Sequence, residues 1–413
     1  MVENQVEVVD VTKSIMKIKL IIFIVCFGSY LSVNAQDTTK IKLDDIEVNF
    51  LSSYYQQDGN NSPVTGGKGT EFLTNIAPSI NINIPLDTVR TLNIDGGVDF
   101  YSSASSDNIN NPYIDPSHVS GASAKDERSY LTVGYKKKNK NLEFGTSGGF
   151  SFEWDVFSYS LGGSFSISSK DKNKSFSAKA KYFYDDWKLI YPVELRLGTK
   201  EYLPTDKRHS VNTSFLFSSH INKKTTASAE VNFVVQNGLL STPFHRVYFK
   251  NSNVAVVEML PSTRIKYPVG IRINSHVTDF MILKTFYRFY ADSWGVTGNT
   301  FEITAPLKIS ESFRLYPFYR FHIQKQANYF ADYGQHLSTQ NFYTSDFDLG
   351  SFTSHKYGLG FTYSPLFGLG RFKYSKDKVA LFKSVSLRYS HYQRSNGLKA
   401  DVVTVGLQLN IKK

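Results

Sequence analysis

The sequence predicts an all-β protein, a transmembrane antiparallel β-barrel of about 16 strands with short periplasmic turns and long extracellular loops. Three observations predict it. Apolar and polar residues alternate with period two along most of the chain after Asp44. The alternating runs have at least 12 residues each, and the connections between them are mostly short on one side and long on the other.

Residues 1–35 have the pattern of a secretory signal peptide. Lys17 begins a basic N-terminal region, residues 18–33 are mostly apolar, and small residues follow them. Met16 fits as the start of translation, because it places the basic residues at the terminus. A retained membrane anchor is the alternative, but the apolar run is short for a spanning helix. We therefore predict that residues 36–413 form a single outer-membrane β-barrel domain in the bacterial outer membrane.

The predicted strands have one apolar and one polar face. In residues 402–411, Val403, Val405 and Leu407 share one face, whereas Thr404 lies on the other. A tilted membrane strand needs about 9–11 residues, and a globular strand averages about 5–6. The sixteen predicted strands are 44–55, 70–84, 89–104, 126–137, 141–155, 158–170, 174–187, 209–222, 225–238, 263–277, 280–294, 297–309, 313–327, 355–366, 382–395 and 398–411.

The connections and strand ends agree with a barrel, with some exceptions. The long connections are 56–69, 105–125, 188–208, 239–262 and 328–354, and one connection on the short side, 367–381, is longer than expected. The outer ends of the strands carry aromatic residues expected to form an interface girdle: Tyr54, Tyr55, Phe100, Tyr101, Trp154, Tyr184, Trp187, Trp294 and Tyr392. Pro78, Pro268 and Pro317 fall inside predicted strands, where proline is expected at bulges or edges, so the strand count allows an error of two.

Five segments resemble a known bacterial family. They are YYQQDGNNSPVTGG at 54–67, GLLSTPFHRVYF at 238–249, YTSDFDL at 343–349, YGLGFTYSP at 357–365 and HYQRSNGLK at 391–399. Together they resemble the uncharacterised family called domain of unknown function 3570, from about Ile46 to the C-terminus. The resemblance implies an exported outer-membrane barrel. Its association with genes for flavin-transfer and thioredoxin-like proteins also implies a redox setting, and it supplies no catalytic residues.

Composition narrows the class of protein. Aromatic residues make up 15% of the chain, too many for a disordered protein, and Cys26 is the only cysteine, so the predicted mature chain has neither a disulfide nor a thiolate nucleophile. The net charge of +11 is spread along strands and turns. The one dense basic cluster, at 136–140, lies in a short turn and favours acidic lipid headgroups or a periplasmic partner over nucleic acid.

The polar face of four predicted strands is rich in cations. The inward positions of strands 10, 11, 13 and 15 include Lys266, Arg272, Lys284, Arg288, Arg320, His322 and Arg388. A lumen lined in this way would hold a positive potential and favour anions. The alternative is that these cations pair with carboxylates from other strands or from an inward-folded loop, as buried charges usually do.

The loop 239–262 contains the second candidate site. His245 and Arg246 there could grip an anionic ligand or partner. The alternative is a packed loop ordered by Pro243 and Phe244. The sequence contains no HExxH or P-loop motif, so we expect no enzyme, no catalytic residues, no cofactor and no metal site.

The sequence therefore favours a pore or transport channel for small, especially anionic, solutes. The barrel would contact outer-membrane lipid. The sequence is compatible with either a monomer or a homo-oligomer. The alternative function is a structural scaffold for a periplasmic or surface redox partner protein.

Overall fold

A computed structural model of the protein describes residues 44–102, 125–195, 204–375 and 378–412. The predicted signal peptide and its start at Met16 lie outside these residues. Across the described ranges no helix is both long and apolar enough to cross a membrane. Sixteen strands form the barrel: β1 (Ile46–Asp58), β2 (Leu73–Pro85), β3 (Arg90–Ser102), β4 (Lys125–Asn139), β5 (Leu142–Phe152), β6 (Val156–Ser168), β7 (Lys174–Lys188), β8 (Thr205–Asn222), β9 (Thr225–Gly238), β10 (Thr263–Lys266 and Val269–His276), β11 (Ile282–Ala291), β12 (Thr297–Thr304 and Leu307–Lys308), β13 (Phe313–Lys325), β14 (Phe352–Tyr363 and Gly370–Ser375), β15 (Lys378–Arg394) and β16 (Lys399–Ile411).

The sheet closes on itself. Each strand pairs antiparallel with its neighbours in chain order, and β1 also pairs with β16 from Ile46 opposite Ile411 to Asp58 opposite Lys399. Closure gives the first and last strands the partners that an open sheet would lack. Because lipid offers no hydrogen bonds to an exposed strand edge, closure is what permits a sheet to span a bilayer. The fold class predicted from the sequence is confirmed.

The two faces of the barrel differ in polarity. On the first face, Phe50 lies opposite Leu407 and Ser52 opposite Val405, and most residues that share this face along the other strands are apolar yet exposed. On the second face, Leu51 of β1 lines the same cavity as Arg272 of β10, two strands far apart around the closed sheet. The second face is therefore the interior, and the apolar first face points outward.

The orientation of the two faces predicts opposite effects of arginine at neighbouring positions. Leu161, near the middle of β6, is 68% exposed on the outer face, whereas Ser160 points inward. We expect Leu161→Arg to destabilise the barrel in phospholipid vesicles by about 2–4 kcal/mol, because the charge would lie at the bilayer midplane. Urea titration of folding into vesicles measures this, and Ser160→Arg is the matched control. Equal losses for both variants would contradict the assigned faces.

Breaks in the strands coincide with prolines. β10 is interrupted at Tyr267 and Pro268, and β12 at Ala305 and Pro306. Pro317 lies in β13 opposite the break in β12, since Thr304 pairs with Phe318 and the next pair is Leu307 with Leu315. Each proline therefore lies where the ladder is already irregular, because its ring nitrogen has no hydrogen to donate.

The prediction of a long connection at residues 367–381 is wrong. After a break at residues 364–369, Gly370–Ser375 continues β14 by pairing with the start of β15, so the true turn is short. The nineteen strand segments of the sheet therefore make sixteen strands, because three strands are each interrupted once. Leu366 and Phe367, two adjacent apolar residues of the break, are strongly exposed. They interrupt the period-two alternation, so the sequence pattern did not indicate that the strand continues after the break.

The aromatic girdle is confirmed only in part. Tyr54, Phe100 and Trp154 are exposed at the loop end of the outer face. Register places Tyr55 on the inner face instead, and Trp294 is only 3% exposed because it packs among the loops. An aromatic residue at a strand end thus serves either the lipid interface or the loop core, and strand position alone does not distinguish the two.

Candidate functional site: the barrel interior and its loop cap

The seven cations singled out in the sequence all lie on the inner face. Arg272 is opposite Phe286, Asn274 opposite Lys284, and Gly270 opposite Arg288, which places these cations on neighbouring strands β10 and β11. On the other side of this sector, Arg320 and His322 point inward from β13 and Arg388 from β15. Lys266 lies on the same face near the loop end of β10.

Several of these cations surround interior cavities without an ion-pair partner. Arg272, Lys284 and Arg388 line a cavity of about 640 Å³ together with Glu302, and Arg288 lines another of about 440 Å³ with Lys179 and Lys181. Among the described residues, no carboxylate lies within ion-pair distance of Arg272, Lys284, Arg288 or Arg388. Aromatic rings support two of the guanidinium groups: Arg388 lies 4.0 Å from the centre of Phe318, and Arg272 lies 5.0 Å from that of Phe286.

Other members of the set are engaged with the wall. Arg320 forms an ion pair with Glu302, with its Nε 2.6 Å from the carboxylate. His322 shares a hydrogen bond of 2.8 Å between its Nδ1 and the Thr300 hydroxyl. The two interpretations of the inner cations therefore apply to different residues: some are paired with neighbouring strands, and others face open cavities.

Long loops pack together over the loop end of the barrel. We call the segments 59–72, 189–195, 239–262, 292–296 and 326–351 the loop cap. Contacts between these segments leave His336 only 1% exposed, with its Nε2 2.9 Å from the Thr344 carbonyl oxygen. A Cβ atom on Gly66 would lie 2.7 Å from the Tyr248 ring, so only glycine permits this approach of loop 59–72 to loop 239–262.

Arg246 joins three segments of the cap. Its side chain is buried; Nε and Nη2 donate to the two carboxylate oxygens of Glu194, at 2.5 and 3.1 Å, and Nη1 donates to the Val64 carbonyl oxygen at 2.5 Å. These donors are committed to loops 189–195 and 59–72. This arrangement favours the packed-loop interpretation of Arg246 over the predicted grip on an anionic ligand.

An apolar cluster joins loop 239–262 to two further segments of the cap, 292–296 and 326–351. Trp294, Val296, Leu260 and Ala327 are buried against one another. The Trp294 indole Nε1 donates to the Thr263 carbonyl oxygen at 3.0 Å, and the Arg264 guanidinium lies 4.3 Å from the ring centre. Because Arg264 belongs to the inner wall of β10, this cluster attaches the cap to the barrel.

Acidic residues of the cap face basic residues of the inner wall. Asp346, Asp348 and Glu258 line a cavity of about 300 Å³ with Arg208, Arg264 and Lys266. Arg394 of β15 donates to Asp348 at 2.5 Å, and Gln324 of β13 donates to the backbone carbonyls of Asp348 and Gly350. Segment 346–350 is therefore folded inward and fixed to the wall, and the cavity beneath it forms the mouth of the interior.

Three titratable residues of the cap have shifted pKa values. Burial raises the pKa of Asp346 to about 6. Burial, with the nearby negative charge of Asp348, raises the pKa of Glu71 to about 7. Burial of His245 opposes its protonation, but the carboxylates of Glu258, Asp346 and Asp348 together outweigh burial and raise the pKa of the imidazole.

The sequence analysis identified His245 but did not connect it to the residues around it. Its Nδ1 lies 3.5 Å from Oε1 of Glu258, and a carboxylate oxygen of Asp346 is close to both. Glu258 sits in a loop without periodicity, 13 residues beyond His245, and Asp346 is in another loop. Nothing in the local sequence brings the three together, because their meeting depends on how the loops pack.

The closed barrel, with an apolar outer face and a charged interior beneath packed loops, has the fold of the outer-membrane β-barrel proteins. Solved structures similar to it include the siderophore receptor PirA from Acinetobacter baumannii (TM-score 0.43, 10% identity, covering 86% of this chain and 54% of that chain). A mutant of the ferric enterobactin receptor PfeA from Pseudomonas aeruginosa is also similar (TM-score 0.44, 12% identity, 86% and 54%). A third is the outer membrane protein opdK from Pseudomonas aeruginosa (TM-score 0.40, 7% identity, 90% and 100%). The chain spans about half the length of the two receptors.

The chain belongs to the family described as Protein of unknown function (DUF3570), whose model matches residues 102–376. The family predicted from the sequence is confirmed. Three of the five segments, 238–249, 343–349 and 357–365, lie within the matched range, whereas 54–67 and 391–399 lie outside it. No curated protein matches the chain.

Proposed function

We propose that the protein is an outer-membrane channel for small anionic solutes, with the loop cap restricting its outer entrance. The observation that carries the proposal is a set of cations around the interior cavity of about 640 Å³, Arg272, Lys284 and Arg388, which have no ion-pair partner among the described residues. Sixteen strands make a cylinder wide enough for an aqueous channel. Cations held in such an interior attract anions, because the surrounding wall of low dielectric focuses their field.

The mouth cavity contributes less to this selectivity. Arg208, Arg264 and Lys266 lie around it, but so do Glu258, Asp346 and Asp348, so a solute passing the cap would meet charges of both signs before reaching the larger cavity. Arg208 is paired with Asp185 at 2.7 Å, and Arg264 with Asp292. These pairs reduce the local charge, which leaves the deeper cations as the main source of anion preference.

Planar-bilayer recording of the purified protein tests the proposal. In a salt gradient we expect stepwise conductance and a reversal potential that indicates chloride preference over potassium. The double variant Arg272→Gln with Arg388→Gln should move the permeability ratio toward unity, since it removes two charges from the cavity. Lys223→Gln is the matched control, because it removes a charge from an exposed turn outside the barrel interior.

Two outcomes would contradict the channel. One is cation preference in the wild-type protein. The other is an absence of conductance both in the wild type and in a variant whose cap has been loosened, such as Arg246→Ala. The scaffold hypothesis, with a redox partner, draws on the family resemblance and stays a prediction.

A further inference from the structure

A cluster at the base of the loop cap has the composition of a metal site. His245 and Glu258 come from loop 239–262 and Asp346 from loop 326–351, and one potential ligand atom from each lies within 4.8 Å of the others. The donors are one imidazole nitrogen and two carboxylates. This set has the charge needed to neutralise a divalent cation, and imidazole and carboxylate together suit ions of the first transition series.

The imidazole of His245 provides an observation independent of the acidic residues. Its Nδ1 is buried and has no hydrogen-bond partner. The nearest carboxylate oxygen, Oε1 of Glu258, is 3.5 Å away, which is too long for a good N–H···O hydrogen bond. Two ligands that each lie about 2.1 Å from one tetrahedral ion are about 3.4 Å apart. The observed separation therefore suits two atoms that share an ion better than two atoms that share a proton.

Both carboxylates are oriented by neighbouring donors. The Thr344 hydroxyl and the Thr242 backbone N–H donate to opposite oxygens of Glu258, at 2.5 and 2.7 Å. The Asp348 backbone N–H donates to Asp346 at 2.8 Å. Outer partners of this kind fix metal-binding carboxylates in position. Burying two carboxylates together is also costly unless a counter-charge accompanies them.

We propose that His245, Glu258 and Asp346 bind one divalent transition-metal cation. The ion would fasten loop 239–262 to loop 326–351 at the base of the cap. Glu258 and Asp346 also line the mouth cavity, so the remaining coordination positions would face that cavity and accept water or an anionic oxygen of a solute. The proposal does not depend on the channel function, because it concerns the ligands and the loops they join.

Calorimetric titration with Zn²⁺ tests the site directly. The full-length protein would be purified without a histidine tag, stripped with a chelator and titrated in detergent. We expect one equivalent of Zn²⁺ to bind, and the affinity to fall by about 100-fold or more in His245→Ala and in Asp346→Asn, since each loses a direct ligand. Zinc should also slow proteolysis of loop 239–262 in the wild type and leave these variants unprotected.

The matched control is His391→Ala. His391 pairs with Asp401 at 2.9 Å on the outer face, an imidazole and carboxylate without the second carboxylate, and its loss should leave zinc binding unchanged. Heat-dependent migration on a gel verifies that each variant is folded. Absence of stoichiometric binding, or equal affinity in the wild type and His245→Ala, would overturn the proposal and leave the cluster as a charged pair that shares a proton.

Discussion

Replacing Arg246 with alanine should loosen the loop cap and raise the conductance of the barrel. The variant leaves the buried Val64 carbonyl oxygen without its charged donor and removes the ion pair to Glu194. Hydrogen bonds to a charged group contribute about 1.5–3 kcal/mol each, although Glu194 regains water because its side chain is 47% exposed. We therefore expect a loss of about 2–3 kcal/mol in the stability of the cap.

Limited proteolysis and bilayer recording would measure the two consequences. Cleavage within loop 239–262 should become faster, and the open-channel conductance should rise because the loops no longer restrict the entrance. Lys250→Ala removes a positive charge from an exposed position in the same loop and is the matched control. If Arg246→Ala resists protease as well as Lys250→Ala does, Arg246 does not hold the cap together.

Replacing Trp294 with alanine should have the largest effect on the cap. The side chain packs against Leu260, Val296 and Ala327 and is almost fully buried, so its removal leaves a cavity. Replacing a buried tryptophan with alanine costs about 3–5 kcal/mol. The lost indole also removes the donor to Thr263 and the ring beneath the Arg264 guanidinium, which attach the cluster to the wall.

Amide hydrogen exchange measures this loss of stability at the backbone amides that form hydrogen bonds within the cap. The Ala327 amide donates to the Leu349 carbonyl oxygen and the Asn328 amide to that of Trp294, both at 2.8 Å. We expect these amides to exchange about 100-fold faster or more, because local opening becomes easier. Trp154→Ala, at an exposed outer-face position, should leave both amides protected. Similar exchange in the two variants would show that the apolar cluster does not stabilise the cap.

The barrel was predictable because lipid imposes a strict pattern on each strand. One face must be apolar and the other meets water, so the alternation that assigns Val405 outward also assigns Thr404 inward. The same alternation of inward and outward positions places Arg272 and Arg388 in the interior, and this assignment requires no information on side-chain contacts. The exceptions, such as the continuation of β14 after residue 369, occur where proline and exposed apolar residues interrupt that alternation.

The cap could not be predicted in the same way. Its defining contacts join residues far apart in the sequence, such as Arg246 with Val64 and Glu258 with Thr344. Loops have no repeating pattern to reveal which side chains will meet, and a histidine or arginine in a loop looks alike whether it binds a ligand or a neighbouring loop. The sequence identified His245 and Arg246 as unusual, but only packing distinguishes the structural role of one from the proposed ligand role of the other.

The seam between β1 and β16 has a consequence for biogenesis. The hydroxyls of Ser53 and Thr404 lie 3.1 Å apart across it, although 351 residues separate them in the chain. Contacts of such long range form slowly, because the whole intervening chain must be arranged first. Until the last strand is delivered, the nascent sheet would present two unpaired margins to lipid or to other chains. Insertion therefore favours a chaperoned pathway in which those margins stay covered until the cylinder is sealed.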